Sequence, residues 1–307
     1  MKVKRTLANK IAHQIQLKHF VYFWLMPNIA AVAILPFLGF PSGFELALFL
    51  TGWLFTVLTV SVGFHRLFTH KSFQTFKWVE IGFAIGGMMA GGGSLISWVS
   101  IHRRHHECSD QDGDPHSPLG APPSERKTML ARVAGYLHSH VGWMRRHDYP
   151  NPLFYCRDLY KKPHLVWVSQ RYHHWVVLGL LVPAVANGFY EATLVGALRG
   201  FFFGGLLRLV IVQHLMSAVN SICHGIGAKR YETSDRSTNC WWLAIPTAGE
   251  AWHNNHHEKQ SSAYFGHVWW EVDLGAYLIC LMAKLGLAWG IHGPKRKQKL
   301  AGLIDNE

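Results

Sequence analysis

Acidic residues are scarce in this chain. Only 18 Asp and Glu stand against 30 Lys and Arg over 307 residues, a formal charge of +12. That imbalance would suit nucleic acid in a soluble protein. Beside long apolar blocks it points instead to anionic lipid headgroups and phosphate-bearing substrates, and nucleic acid is set aside. Cysteine is sparse too: Cys108, Cys156, Cys223, Cys240 and Cys280 form no CxxC pair, which excludes a disulfide framework and a thiolate metal site and leaves free cytoplasmic thiols. No Gly-x-Gly-x-x-Gly loop and no His-Pro-Gly-Gly haem stretch occurs, so the chain carries neither a nucleotide fold nor a haem domain.

What is present is apolar sequence in blocks, 49% of all residues. A helix rises about 1.5 Å per residue, so roughly 20 apolar residues cross a hydrocarbon core of about 30 Å. Residues 20–40, 46–64 and 194–219 satisfy that requirement, and with the shorter block 175–189 they predict four membrane spans in a single domain covering 1–307. Lys2, Lys4, Arg5, Lys10 and Lys18 precede the first block with no acidic residue among them, which places the N-terminus on the cytoplasmic side. The first block is too long for a signal-peptide core and is expected to be retained. Residues 79–99 are apolar but glycine-rich and read as an interfacial or re-entrant segment. The block near 274–287 is short and interrupted by Lys284, suiting the interface. Arg208 lies within the last span and must face the bundle interior or snorkel. The expectation is an all-α multi-pass protein with both termini inside, a cytosolic helical cap formed by 65–174 and 220–307, and a location of the bacterial inner-membrane kind.

Histidine carries the chemistry. Of 21 histidines, eight sit in three boxes: His65 and His70; His102, His105 and His106; His253, His256 and His257. The i, i+3, i+4 spacing of the last two aims several imidazoles from one side of a helix at a common point. The first pair is different, since five residues of α-helix leave two rings about 140° apart. His65 and His70 share a site only if the helix ends or bends between them, or if each faces a different metal. A lone ion takes about four to six ligands, so eight converging imidazoles argue for two metals. His224 is a ninth candidate at the end of the fourth span, with Asn220 four residues earlier positioned to hold a water or orient a ligand. Of the others, His13, His19, His147, His164, His267 and His292 read as interfacial, while His116, His138, His140, His173, His174 and His214 stay undecided.

The boxes His65-Arg66-Leu67-Phe68-Thr69-His70, His102-Arg103-Arg104-His105-His106 and Trp252-His253-Asn254-Asn255-His256-His257 resemble those of membrane fatty acid desaturases of the stearoyl-CoA (delta-9) type. Neighbouring stretches match as well: Asp110, Asp114 and His116, His138 to Trp143, Asn220 with His224, and Gly249-Glu250. The resemblance implies four spans under a cytosolic cap and two iron ions held by His224 with the eight box histidines. It further implies a dioxygen-dependent reaction that places a cis double bond, at delta-9, in an acyl chain, with no catalytic side chain beyond the metal centre. Electrons then come from a separate ferredoxin, cytochrome or flavin reductase, and the basic face suits an acidic one.

Arg145 and Arg146 fall where that family contacts CoA phosphates, although a basic cluster at the membrane surface accounts for them equally well. Ser100-Ile101 stands where the animal acyl-CoA enzymes have Arg-Asp, which opens the choice between acyl-CoA and a lipid-linked chain. The rival readings are an acyl hydroxylase or alkene-forming decarboxylase on the same metals, and a histidine-rich metal transporter, which would need ionisable residues along a path through the spans.

Overall fold

The computed structural model describes residues 3–7, 10–118, 128–145 and 147–294. The architecture is helical, with two antiparallel strand pairs of two residues each, Thr6–Leu7 with Tyr149–Pro150 and Gln74–Thr75 with Ala288–Trp289. Among the described residues three helices are long and apolar enough to cross a membrane: Lys10–Leu38, Gly43–Thr69 and Leu194–Ile222. The first two run beyond the apolar blocks seen in the sequence because polar residues continue the helix at an end. Ser42 starts the second with a capping box, its hydroxyl accepting from the Glu45 amide while the Glu45 carboxylate accepts from the Ser42 amide.

A further helix, Tyr172–Glu191, has 20 residues and packs along the third long helix. Its contacts tie it to both ends of the bundle. The Tyr172 hydroxyl donates to the Gly91 carbonyl, and the Asn187 amide donates to Glu45 and to the Gly196 carbonyl. The glycine-rich stretch 79–99 forms the helix Lys77–Met88, whose 12 residues are too short to span, followed by a turn into Leu95–Glu107.

Two guanidinium groups, one buried and one half-buried, stitch this bundle together. Arg208 faces inward, 2% exposed, and donates to the carbonyls of Met89, Gly179 and Gly204. Arg199 pairs with Glu45 at the opposite end and caps the carbonyls of Leu38 and Phe40. In hydrocarbon such groups persist only when every donor is met by protein, and here three separate helices supply the acceptors for Arg208.

The site rests on a departure from α geometry. Residues Thr59–Thr69 form a π-helix, the wide turn closed by i to i+5 hydrogen bonds. The Thr69 hydroxyl donates to the Phe64 carbonyl and the His70 amide to the His65 carbonyl. Arg103 fixes the end of this segment by donating to the Phe68 and Thr69 carbonyls while paired with Asp158.

Candidate metal centre

Two short helices and the end of the third long helix face the π-turn and deliver the other histidines. His102, His105 and His106 come from Leu95–Glu107, His253, His256 and His257 from His253–Glu258, and His224 follows Ile222. The nine imidazoles sort into two groups. His65, His70, His102, His106 and His256 offer ring nitrogens within 4.8 Å of one another, and His105, His224, His253 and His257 form a second such group. Each i, i+3, i+4 box is therefore divided. One ring turns to one group and two to the other, which the spacing by itself did not separate.

In the first group the Nε2 atoms of His65, His102, His106 and His256 close a four-sided ring with successive sides of 2.9, 3.0, 3.0 and 2.9 Å. Glu250 lies against His65 Nδ1, so the proton of that ring sits on Nδ1 and Nε2 presents a lone pair. Lone pairs gathered this closely repel unless a cation lies among them. A square of that side has its corners roughly 2.1 Å from its centre, which matches metal–imidazole bonds of about 2.0–2.1 Å. His70 Nε2 is buried with no hydrogen-bond partner, a fifth nitrogen free to bind.

The second group repeats the logic. His224 Nε2 and His253 Nε2 stand 3.0 Å apart, and the Nε2 atoms of His105 and His257 are buried and unpartnered. Behind three of these rings sit carboxylates: Asp114 at 2.9 Å from His105 Nδ1, Asp110 at 2.8 Å from His224 Nδ1, and Asp235 against His257 Nδ1. Orienting a ligand imidazole through its far nitrogen fixes its tautomer and makes it a better donor. The residues present fit two imidazole-bound metal ions.

Burial, followed by the neighbouring imidazoles, holds His70, His102, His106, His253 and His256 well below the ordinary histidine range, and burial brings His257 to about 4 against the pull of Asp235. These rings are neutral at pH 7 and able to bind metal. Burial opposes ionisation of Asp110, but its bonds to His224, Ser117 and the Arg236 amide outweigh it and bring the carboxyl to about 2. Asp114, Asp235 and Glu250 are likewise lowered, by their histidines, in spite of burial.

Glu250 is held in turn by Arg66, a fully buried guanidinium that also donates to Asp273 and the Ala263 carbonyl and lies 3.6 Å from the centre of the Phe265 ring.

An inner channel of about 90 Å³ passes between Val60, Phe64, Gly87, Trp98, His102 and His253, and an outer vestibule of about 570 Å³ opens beside Ile15, Lys18, Tyr22 and Phe23 of the first long helix. They share His19, Gly92, Ile101, Trp143 and Met144. A narrow, mainly apolar passage ending at the histidines suits an extended alkyl chain.

Asn220 lines the inner channel, and its recorded hydrogen bond is through its backbone carbonyl to Ser139. Carboxylates lie against the far nitrogens of His65, His105, His224 and His257. Arg145 is exposed, its guanidinium 5.8 Å from the Phe20 ring, and Arg146 lies outside the described residues. His116 packs 4.4 Å from the His105 ring and lines the channel, while His140 bonds to His214, which bonds to Asn28. Asp235 is the site residue that sequence reasoning passed over. It stands outside the boxes, and its one signal is being an acidic residue in a chain with few.

Comparison with known proteins agrees with the geometry. Residues 45–265 match the fatty acid desaturase family. The chain is 38% identical to a hex-5-enoyl-[acyl-carrier protein] acetylenase of Moorena producens, over 95% of this chain and 91% of that protein. It is 35% identical to an sn-1 stearoyl-lipid 9-desaturase of Anabaena variabilis, over 95% of this chain and all of that protein. A palmitoyl-monogalactosyldiacylglycerol delta-7 desaturase of Arabidopsis thaliana is 36% identical over 79% of this chain and 60% of its own length.

Proposed function

The chain belongs to the fatty acid desaturase family and is an acyl desaturase, an oxidoreductase, and from that premise we propose a cis, delta-9 desaturase acting on a saturated chain esterified in a membrane lipid. The reaction balances as –CH2–CH2– + O2 + 2 e⁻ + 2 H⁺ → –CH=CH– + 2 H2O. The nine histidines in their groups of five and four would hold two irons, and the iron pair, when bound, supplies from dioxygen the oxidising power that removes hydrogen from an unactivated methylene. The protein's own part is placement. The channel walls hold two adjacent methylenes beside His102 and His253 and exclude water, and the carboxylates keep the rings aimed.

The observation that supports a lipid carrier is the vestibule. Lys18 is the one lysine or arginine lining it among the described residues, whereas a CoA thioester needs several cations for its phosphates. The opening beside the first long helix also lets a bilayer lipid enter sideways. The relatives leave a second reading, a thioester on acyl-carrier protein, since the acetylenase is named for that carrier.

In this reading Lys10–Leu38, Gly43–Thr69, Tyr172–Glu191 and Leu194–Ile222 are four spans of one domain, with the histidines on the cytoplasmic side. Electrons arrive from a separate acidic carrier. The exposed Lys229, Arg230 and Arg236 lie where the Arg236 amide donates to Asp110, itself bonded to His224.

The test is expression in a host without desaturases, followed by mass spectrometry of acyl chains in separate lipid, CoA and carrier-protein pools. Cis-9 monoenes appearing first in lipid support the proposal. Hydroxylated, shortened or alkynyl products overturn the reaction, and first appearance in a thioester pool overturns the carrier.

A further inference from the structure

Residues 240–249 contain no charged side chain, yet they sit in the polar part of the sequence just before the third box. The turn they form has two unlike sides. Leu243 and Ala244 are buried, while Trp241, Trp242 and Ile245 are 72%, 49% and 54% exposed. Its position is fixed by Trp53, whose indole Nε1 donates to the Pro246 carbonyl at 3.2 Å. Trp53 belongs to the long helix Gly43–Thr69 and lies 12 positions before His65. The helix's own outward residues at that level are Leu50, Leu54 and Phe55, all exposed and all apolar. The turn therefore lies against a surface that faces hydrocarbon.

Its backbone is arranged for the same surroundings. A chain segment in lipid must satisfy its carbonyls within the protein, since no water is there to do so. The Cys240 carbonyl accepts from the Leu243 amide, Leu243 from the Thr247 amide and hydroxyl, Ala244 from Gly249, and Ile245 from Ala248. Pro246 accepts from Trp53, Thr247 from Glu250 and Ala248 from Gly275.

We propose that residues 241–246 are inserted into the cytoplasmic leaflet, with the indoles of Trp241 and Trp242 near the headgroup boundary and Ile245 among acyl chains. Lipid is the occupant of this surface. Tryptophan favours that boundary because its ring is apolar and its N–H polar. The turn continues directly into Glu250, so the bilayer bears on the segment that carries the carboxylate behind His65.

The test uses the full chain in nanodiscs, with Cys280→Ser removing the half-buried thiol and nitroxide labels placed singly at Trp241→Cys and Ile245→Cys. Oxygen, which partitions into lipid, is expected to collide with both labels at least about threefold more often than chromium oxalate, and more so at position 245. Equal access by chromium oxalate overturns the proposal. So does low access to both reagents with dipolar broadening, which would mean a second copy of the chain covers the patch. A Trp241→Phe, Trp242→Phe double variant, conservative in bulk, gives an independent reading. Brominated lipids should quench the fluorescence of the parent more strongly than that of the variant, and equal fractional quenching overturns the insertion.

Discussion

The His70 amide donates to the His65 carbonyl at 3.1 Å, so two residues five positions apart stand one turn apart and their rings lie 4.9 Å from centre to centre. In an α-helix the same pair would diverge. The wide turn is what admits His70 to the group that already contains His65, and π-turns of this kind recur at functional sites.

Because the nine histidines divide five and four, single ligand substitutions should discriminate two ions. His256→Ala belongs to the first group, and His105→Ala and His253→Ala to the second. Each is expected to abolish product, leave the chain in the membrane, and lower bound iron from about two per chain toward about one. Metal analysis with product assay of membrane fractions checks this. Zinc in place of iron in the purified parent would overturn the two-iron reading.

Glu250→Gln keeps the shape of the side chain but removes the charge behind His65. Loss of an orienting carboxylate weakens metal binding or activity about 10- to 100-fold, and Asp235→Asn should do the same through His257. Turnover measured against added iron separates weaker binding, which excess iron restores, from a misdirected ring, which it does not.

Arg66 is fully buried between Glu250 and Asp273. Removing it by Arg66→Met leaves two carboxylates without their cation, a change that costs about 3–5 kcal/mol. A lower unfolding temperature in detergent is expected, with part of the loss recovered when Asp273→Asn is added.

Acid should destabilise the protein in a defined window. Asp110 ionises at about 2 in the fold against an ordinary 3.8, so its contribution is present above about 3.8 and is lost as pH falls toward 2. Asp114, Asp235 and Glu250 are lowered in the same direction. Thermal unfolding should already weaken as pH falls below about 6.5, where His70, His102, His106, His253, His256 and His257 take up protons on unfolding that the fold excludes, and should weaken further below about 4 through the carboxylates; a flat profile from pH 7 to 5 would contradict the neutral rings.

The sequence made the boxes legible because metal ligation demands a residue type at helical spacing. It also exposed the long apolar helices and predicted that Arg208 turns inward or snorkels. Three things stayed hidden. The assignment of each ring to a group depends on how helices face one another, which no single helix encodes. The union of His65 with His70 depends on a π-turn, and spacing rules assume an α-helix. Asp235 and the role of Asp110 arise from loops that meet only in the folded protein, where the Arg236 amide and the His224 ring share one carboxylate.

The scatter of the ligands along the chain bears on biosynthesis. The four-histidine group draws on positions 105, 224, 253 and 257, and the five-histidine group needs His256 to close its ring. Synthesis proceeds at about 5–20 residues per second from the N-terminus, so the helices Lys10–Leu38 and Gly43–Thr69 are in the bilayer well before the last imidazoles have left the ribosome. The five-histidine group is complete only when position 256 emerges, and the four-histidine group only at 257. A nascent or truncated chain therefore cannot hold a full metal pair, and the capacity to react with dioxygen is withheld until the channel that contains the reaction has been made.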